Sequence, residues 1–276
     1  MRVQPLITIL LVAGTAATLR PASLKPETVN AWEYHVRAVD AEMQARLDGT
    51  KPFLWVDEAP ERAERVRDGE ILVTHAGRNG SQAVPHGLIH DWSGAVFIPG
   101  VCMDDVMAVL HSYDHYKDFY KPAVISSRPL DQAGGDYKFS MLWMQKVLFV
   151  TAAVDSTYES SYHQVDDKRW YSVTRSTHIK EVQKYGQPEQ SELPADQGHG
   201  FLWRMYSIAR YEERDGGVYV EVEAVALSRD IPMSLRWMVS PVVDHLSRDS
   251  VATSLRETRD AVRSTREAAS NVAAGQ

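Results

Sequence analysis

The stretch "HSYDHYKDFY" carries His111, His115 and Asp118 at i, i+4 and i+7. On a helix this spacing gathers three metal-ligating side chains on one face. The chemistry would be metal-assisted hydrolysis. The neighbouring residues argue against it. With Val106 as the centre of an apolar face, Val109, Leu110 and Tyr113 fall within about a third of the circle at ~100° per residue. His111, His115 and Asp118 then lie opposite, towards solvent. A catalytic metal needs a shaped, partly dry site with supporting hydrogen bonds. The helix would also have to run unbroken to Asp118, close to Pro122, and no HExxH motif supplies a general base. The expectation is no metal. The segment reads as a connector whose Tyr113, Phe119 and Tyr120 pack and whose His and Asp residues are solvated.

Other candidates for chemistry are few. There is no GxSxG elbow, Walker loop or GxGxxG. Asp104-Asp105 reads as a helix start and Asp166-Asp167 as a turn. The single cysteine, Cys102, cannot form an intramolecular disulfide. Set in "PGVCMDDVM", it is expected to be a buried, inert thiol. His90 precedes Asp91 and Trp92 in a strand, and alternation turns it inward with Leu88 and Trp92. It reads as a hydrogen-bonded core residue. If the protein is an enzyme, His90 is the candidate for acid–base work. In that case tyrosines would be the further acid–base groups, and no cofactor is expected.

The 276 residues carry 30 Lys and Arg against 37 Asp and Glu, a net charge of −7. No excess of cations exists to neutralise phosphates, so no nucleic-acid partner is expected. Arg2 followed by "LITILLVAGTAA" reads as an export signal with small residues for cleavage. The apolar run falls short of the roughly 20 residues of a membrane span. The expected location is therefore periplasmic or secreted. The chain divides into a signal peptide at 1–20, an N-terminal helical segment at 21–69, a main domain at 70–269 and a disordered tail at 270–276. Arg256, Arg259, Arg263 and Arg266 share one side of the last helix. Glu257, Asp260 and Glu267 interleave, so a solvated face is expected, with transient membrane contact as the minor reading.

Hydrophobic period and turn signals define the elements that must hold any site. Pro26-Glu27-Thr28 opens a helix that Asp48-Gly49 closes. "ERAERV" suggests a second helix. "ILVTH" and "GLIHDWSGAVFI" read as strands, and residues 101–113 as a helix. Six strands follow to about Arg229, punctuated by "AGGD", "VDDK" and "RDGG". Residues 183–200 read as an exposed loop, and Pro232 to about Ala269 as a long helix. The class is α+β, an antiparallel sheet whose apolar face the last helix covers.

That order, together with "GLIHDWSGAVFIPGV", "YDHYKDFYKPAVISSRPL" and "FLWRMYSIARYEERDGGVYVEVEAVALSRDIP", resembles the START-like, polyketide-cyclase-like (SRPBCC) superfamily, and within it exported bacterial members. The resemblance spans residues 71–266. It implies the helix-grip fold, a curved antiparallel sheet wrapped around a long C-terminal helix that closes a cavity for an apolar ligand. It specifies no reaction.

The hairpins show where a ligand would sit. Around "ERDGGV", pairing Glu213 with Val218 sets Tyr211 opposite Val220, Ala209 opposite Val222, Ser207 opposite Ala224 and Met205 opposite Ala226. With Trp203, these form the inner face by polarity. Arg210 and Glu221 become an outer surface pair. Small residues at the centre of the inner face leave volume for a ligand or for Leu235, Met238, Val242 and Leu246 of the last helix. Around "VDDK", pairing Val165 with Lys168 turns Tyr158, Tyr162 and Arg175 inward. Arg175 could then hold an acidic head group, unless a bulge shifts the register and sends it to solvent. Tyr137, Phe139, Met141 and Trp143 add an aromatic and sulfur-bearing wall.

The expected ligand-binding residues are Trp143, Met141, Tyr158, Arg175, Trp203, Met205, Ser207, Tyr211, Ala224, Met238 and Val242. The expected function is an exported protein holding a hydrophobic small molecule or lipid. The alternatives are a cyclase or aromatase using the same cavity, and an envelope protein that binds another protein.

Overall fold

The computed structural model describes residues 21–76, 81–147, 150–231 and 233–274, with side chains outside 146–151, 233–239 and 272–274. The expected signal segment lies outside the described residues. In chain order the elements are β1 (Ala22–Ser23), α1 (Pro26–Leu47), α2 (Pro60–Arg67), β2 (Leu72–His75), β3 (Gln82–Val84), β4 (Gly87–Pro99), α3 (Met103–Leu110), α4 (Tyr116–Phe119), β5 (Val124–Ala133), β6 (Asp136–Val147), β7 (Val150–Gln164), β8 (Arg169–Gln183), β9 (Ser191–Glu192), β10 (Gln197–Gly198), β11 (Arg204–Arg214), β12 (Gly217–Arg229) and α5 (Met233–Ala274). The last helix thus continues beyond Ala269. The main sheet is antiparallel, in the order β2-β4-β12-β11-β8-β7-β6-β5, with β3 beside β4 and β9 beside β8. The long helix α5 lies against it. This is the helix-grip architecture.

The β11–β12 hairpin has the register that polarity requires. Glu213 faces Val218, Ser207 faces Ala224 and Met205 faces Ala226. Asp215 and Gly216 both take positive φ, +55° and +75°. A two-residue turn of that kind matches the twist of the strands it joins.

The other face of this hairpin differs from the expectation. Arg210 and Glu221 are not a surface pair: each is 1% exposed. Helix α1 and the turn at Trp55–Glu58 contribute a second core on this convex side. Trp32, Val36, Val39 and Met43 recur at helical spacing and pack with Ile208, Tyr206 and Val225. Burying each such side chain contributes about 1.5–3 kcal/mol. That gain is large enough to bring the charged pair inside with it. The buried carboxylate of Glu221 accepts hydrogen bonds from the backbone N–H groups of Trp55 and Val56, both at 2.8 Å, and pairs with Arg210 Nε at 3.2 Å. Arg214 grips Asp57 with two bonds at 2.9 and 2.6 Å.

The β7–β8 hairpin also departs from the expected register. Its loop has three residues, Asp166 to Lys168, because Val165 N–H bonds to Arg169 C=O at 2.8 Å. The Asp166 carboxylate accepts the N–H groups of Lys168 and Arg169 and stabilises the longer turn. A slip of one residue reverses the facing of the partner strand. Tyr162 therefore pairs with Ser172, and Arg175 with Glu159. A bulge follows at Thr157 and Tyr158. Arg175 is exposed.

The "HSYDHYKDFY" connector breaks where the metal reading needed a continuous helix. Helix α3 ends at Leu110, a 3-10 turn covers Tyr113–His115, and α4 follows. Among the described residues no group of His, Cys, Asp and Glu could hold a metal ion. His115 pairs with Asp114, and Asp118 with Lys121, at the surface. His111 is a correction: it is half-buried, with its ring stacked on Tyr137 at 4.6 Å and edge-on to Tyr162. Cys102 is a second correction. It occupies the position before α3 and is exposed, because the chain turns there at the surface. On α5, Arg266 pairs with Asp105 at 2.8 Å, and Arg259 donates to the Gly69 carbonyl. No helix among the described residues is long and apolar enough to cross a membrane.

Burial, aided by nearby Asp91 and opposed by Arg210, raises the Glu223 carboxyl from 4.5 to about 7. Between these pH values the folded protein keeps a proton that the unfolded chain has released, so stability falls as pH rises. The loss, on the order of 3 kcal/mol, is complete above neutrality. Glu223→Gln is expected to remove this slope and to be more stable than the parent at pH 8. Urea unfolding of both proteins between pH 4.5 and 8 checks this.

Candidate functional site

The concave face of the sheet does not close on α5. A cavity of about 650 Å³ lies between them. Its floor comes from the middle of β11 and β12, where Ser207, Ala209, Ala224 and Ala226 are too small to reach the helix. Phe139, Met141 and Trp143 of β6 and Tyr158 of β7 form one wall. Tyr116 and Tyr120, around α4, close one side.

Helix α5 is seated unequally. Its C-terminal half buries Leu255, Thr258, Ala261 and Val262. Leu255, Ala261 and Val262 pack against Val96, Ile98, Val218 and Val220. The closest approach is at Gly94, where an added Cβ would stand 2.7 Å from Leu255 Cδ1 and 2.9 Å from Val251 Cγ1. Nearer its N-terminus, α5 spans the cavity and meets the opposite side through polar contacts. Ser81 Oγ donates to Asp244 Oδ1 at 2.5 Å, and Gln145 Nε2 donates to Ser250 Oγ at 3.2 Å.

Several polar groups of the floor and walls satisfy one another, whereas Trp92 Nε1 is buried and has no hydrogen-bond partner among the described residues. Trp143 Nε1 donates to Ser156 at 3.0 Å, Ser160 bonds Thr174 at 2.8 Å, and Ser172 bonds Tyr211 at 3.1 Å. Tyr116 donates to the Leu110 carbonyl at 2.6 Å, and Tyr120 bonds Thr258 at 3.0 Å. Burial raises the phenols of Tyr116, Tyr120, Tyr158, Tyr162 and Tyr211, so they stay neutral at physiological pH. His90 faces inward at one end, 4% exposed. Nδ1 is 2.7 Å from Ser81 Oγ, and Nε2 is 2.8 Å from Ser228 Oγ. Burial lowers its pKa against an opposing pull from Asp244, which favours the neutral ring.

Seven of the expected ligand residues line this space: Met141, Trp143, Tyr158, Met205, Ser207, Tyr211 and Ala224. Arg175 does not. It stands on the far face of β8, turned there by the three-residue loop. Trp203 also lies elsewhere. It precedes β11, its N–H bonds the Leu227 carbonyl, and its ring joins the core beneath α1. Val242 is outside the lining, whereas Leu246 is within it. The side chain of Met238 lies outside the described residues. Sequence reasoning missed the residues that α5 presents over the cavity. These are mainly hydroxyls, including Ser247, Ser250 and Ser254. Their i, i+3, i+7 spacing is readable in the sequence, beside the apolar residues of the same helix.

No protein-family model matches the chain, and no curated protein is similar to it. Solved structures are similar in chain path. One is the STAR-related lipid transfer protein from Xanthomonas axonopodis, at 15% identity over 67% of this chain and 99% of that one, with a TM-score of 0.45. Human STARD10 matches at 11% identity over 75% and 79%, with a TM-score of 0.45. The Zhui aromatase/cyclase from a Streptomyces species matches at 13% identity over 63% and 94%, with a TM-score of 0.41.

The close seat of α5 gives a direct test. Gly94→Val is expected to force Leu255 and Val251 away and to cost about 1–3 kcal/mol through overpacking. Urea unfolding measures the loss. Limited proteolysis should show earlier cleavage within α5 than in the parent, and Gly94→Ala should lie between the two.

Proposed function

We propose that the protein carries a hydrophobic small molecule or lipid in the cavity beneath α5, and that it does so outside the cytoplasm. The observation that carries the reading is the cavity itself. It is a space of about 650 Å³ beside aromatic, methionine and alanine side chains, on the face of the sheet opposite the core that α1 covers. Protein interiors do not leave such volumes without cause, and sites of this size and lining suit small-molecule ligands. Burial of ligand surface at roughly 25 cal/mol per Å² supplies the affinity.

Carriage fits better than catalysis. His90, the first proton-transfer candidate, spends both ring nitrogens on serine hydroxyls. The phenols are held neutral by burial. The export signal at residues 1–20 supports the location and is part of the proposal.

Native mass spectrometry of protein secreted from cells and purified without detergent tests the reading. A reproducible extra mass, lost after organic-solvent treatment, is expected. Ala224→Trp places an indole in the middle of the floor and should give a folded protein without that mass. A clean unliganded mass in the parent, unchanged after incubation with a lipid extract, would overturn the proposal.

A further inference from the structure

Two tryptophans line the cavity, Trp92 of β4 and Trp143 of β6. Their indole N–H groups meet different surroundings. Trp143 faces Val154 across the β6–β7 pair. Its Nε1 donates at 3.0 Å to Ser156, two residues further along β7. Trp92 faces Ala224 across the β4–β12 pair. In an antiparallel sheet these two pairs are equivalent by a half-turn about the sheet normal. Ala226, two residues beyond Ala224, therefore stands to Trp92 as Ser156 stands to Trp143. It has no oxygen to offer. Trp92 is 5% exposed, and its Nε1 has no hydrogen-bond partner among the described residues.

On the other flank, β2 brings His75 opposite Trp92. The imidazole lies against the indole, with ring centroids 3.7 Å apart. Its Nδ1 is also buried and without a partner among the described residues. His90, next on the same face of β4, is already held by Ser81 and Ser228, and Ser81 donates to Asp244. One end of the cavity thus holds two buried polar atoms that the fold leaves unmatched. A buried donor without an acceptor is costly, and native structures rarely keep one without cause.

Accepting the cavity as a ligand site, we infer that Trp92 and His75 form a head-group subsite at its β2–β4 end. The ligand is an apolar molecule that places an uncharged oxygen there, accepting from Trp92 Nε1. A carbonyl oxygen has two lone pairs for this end. A hydroxyl accepts from the indole and donates to His75 Nδ1. An ionised head group would share this end with the Asp244 carboxylate, out of reach of bulk water. The hydrocarbon part extends towards Phe139, Met141 and Tyr158, on the far wall.

Four probes with the same carbon count test this on the whole chain after organic-solvent delipidation. They are 6-phenylhexan-2-one, 6-phenylhexan-2-ol, hexylbenzene and 6-phenylhexanoate. Proton–nitrogen correlation spectra resolve the indole N–H groups of the seven tryptophans, and Trp92→Phe assigns the one at issue. The ketone is expected to move the Trp92 indole proton downfield, and hexylbenzene to leave it in place. By calorimetry the ketone and the alcohol should bind at least about tenfold tighter than hexylbenzene or the carboxylate. Ala226→Ser supplies the missing oxygen from within the fold. It should erase the ketone's advantage and leave hexylbenzene binding unchanged. The same Trp92 shift with ketone and hydrocarbon would overturn the inference while leaving carriage intact. So would tighter binding of the carboxylate, or a ketone advantage that survives in both variants. Failure of all four probes, with no retained guest by native mass spectrometry, would remove the carriage reading and this inference with it.

Discussion

The buried pair of Arg210 and Glu221 is the constraint on which the arrangement depends. Two opposite charges lie at the centre of the sheet's convex face, each almost wholly out of water. Such a pair is tolerated only when its remaining hydrogen-bonding capacity is met. The backbone at Trp55 and Val56 meets that of Glu221. The N-terminal segment is therefore held to the sheet by more than apolar contact. It must arrive with its N–H groups aimed at one carboxylate, which fixes where α1 and α2 lie.

With the convex face filled in this way, the concave face is free to stay hollow. The two faces are built from alternate residues of the same strands. On β11, Tyr206, Ile208 and Arg210 fill one side while Met205, Ser207 and Ala209 leave room on the other. Packing and open volume are thus assigned to opposite sides of one hairpin. The packed face can lend rigidity to the empty one, because the strands between them are shared.

Much of this was legible in the sequence, for identifiable reasons. The β11–β12 register followed from a two-residue turn and clear alternation, and it located the small residues of the floor. The β6 stripe was legible because aromatic and sulfur-bearing residues alternate cleanly. What escaped depended on partners distant in sequence. Arg210 and Glu221 look like surface residues until Trp55 and Val56 are brought over them. Arg175 looked inward because the side-chain bonds of Asp166 lengthen the turn by one residue, and one residue reverses a strand. Trp203 sits just before its strand, where alternation no longer governs direction. His111 falls opposite the apolar face on a helical wheel, and its aromatic stack comes from β6 and β7.

The cover that α1 provides changes what counts as the smallest folded unit. A boundary drawn near residue 70 looks natural, because the curved sheet and its closing helix lie beyond it. Cutting there would strip the convex face of Trp32, Val36, Val39 and Met43, and would leave Glu221 without the backbone donors that hold it. The remainder would present to water a broad apolar surface with a charged pair at its middle. Such a surface recruits other chains. The N-terminal segment and the sheet are thus interdependent parts of one packed body. Any transplant of the sheet into another protein would have to carry α1 with it.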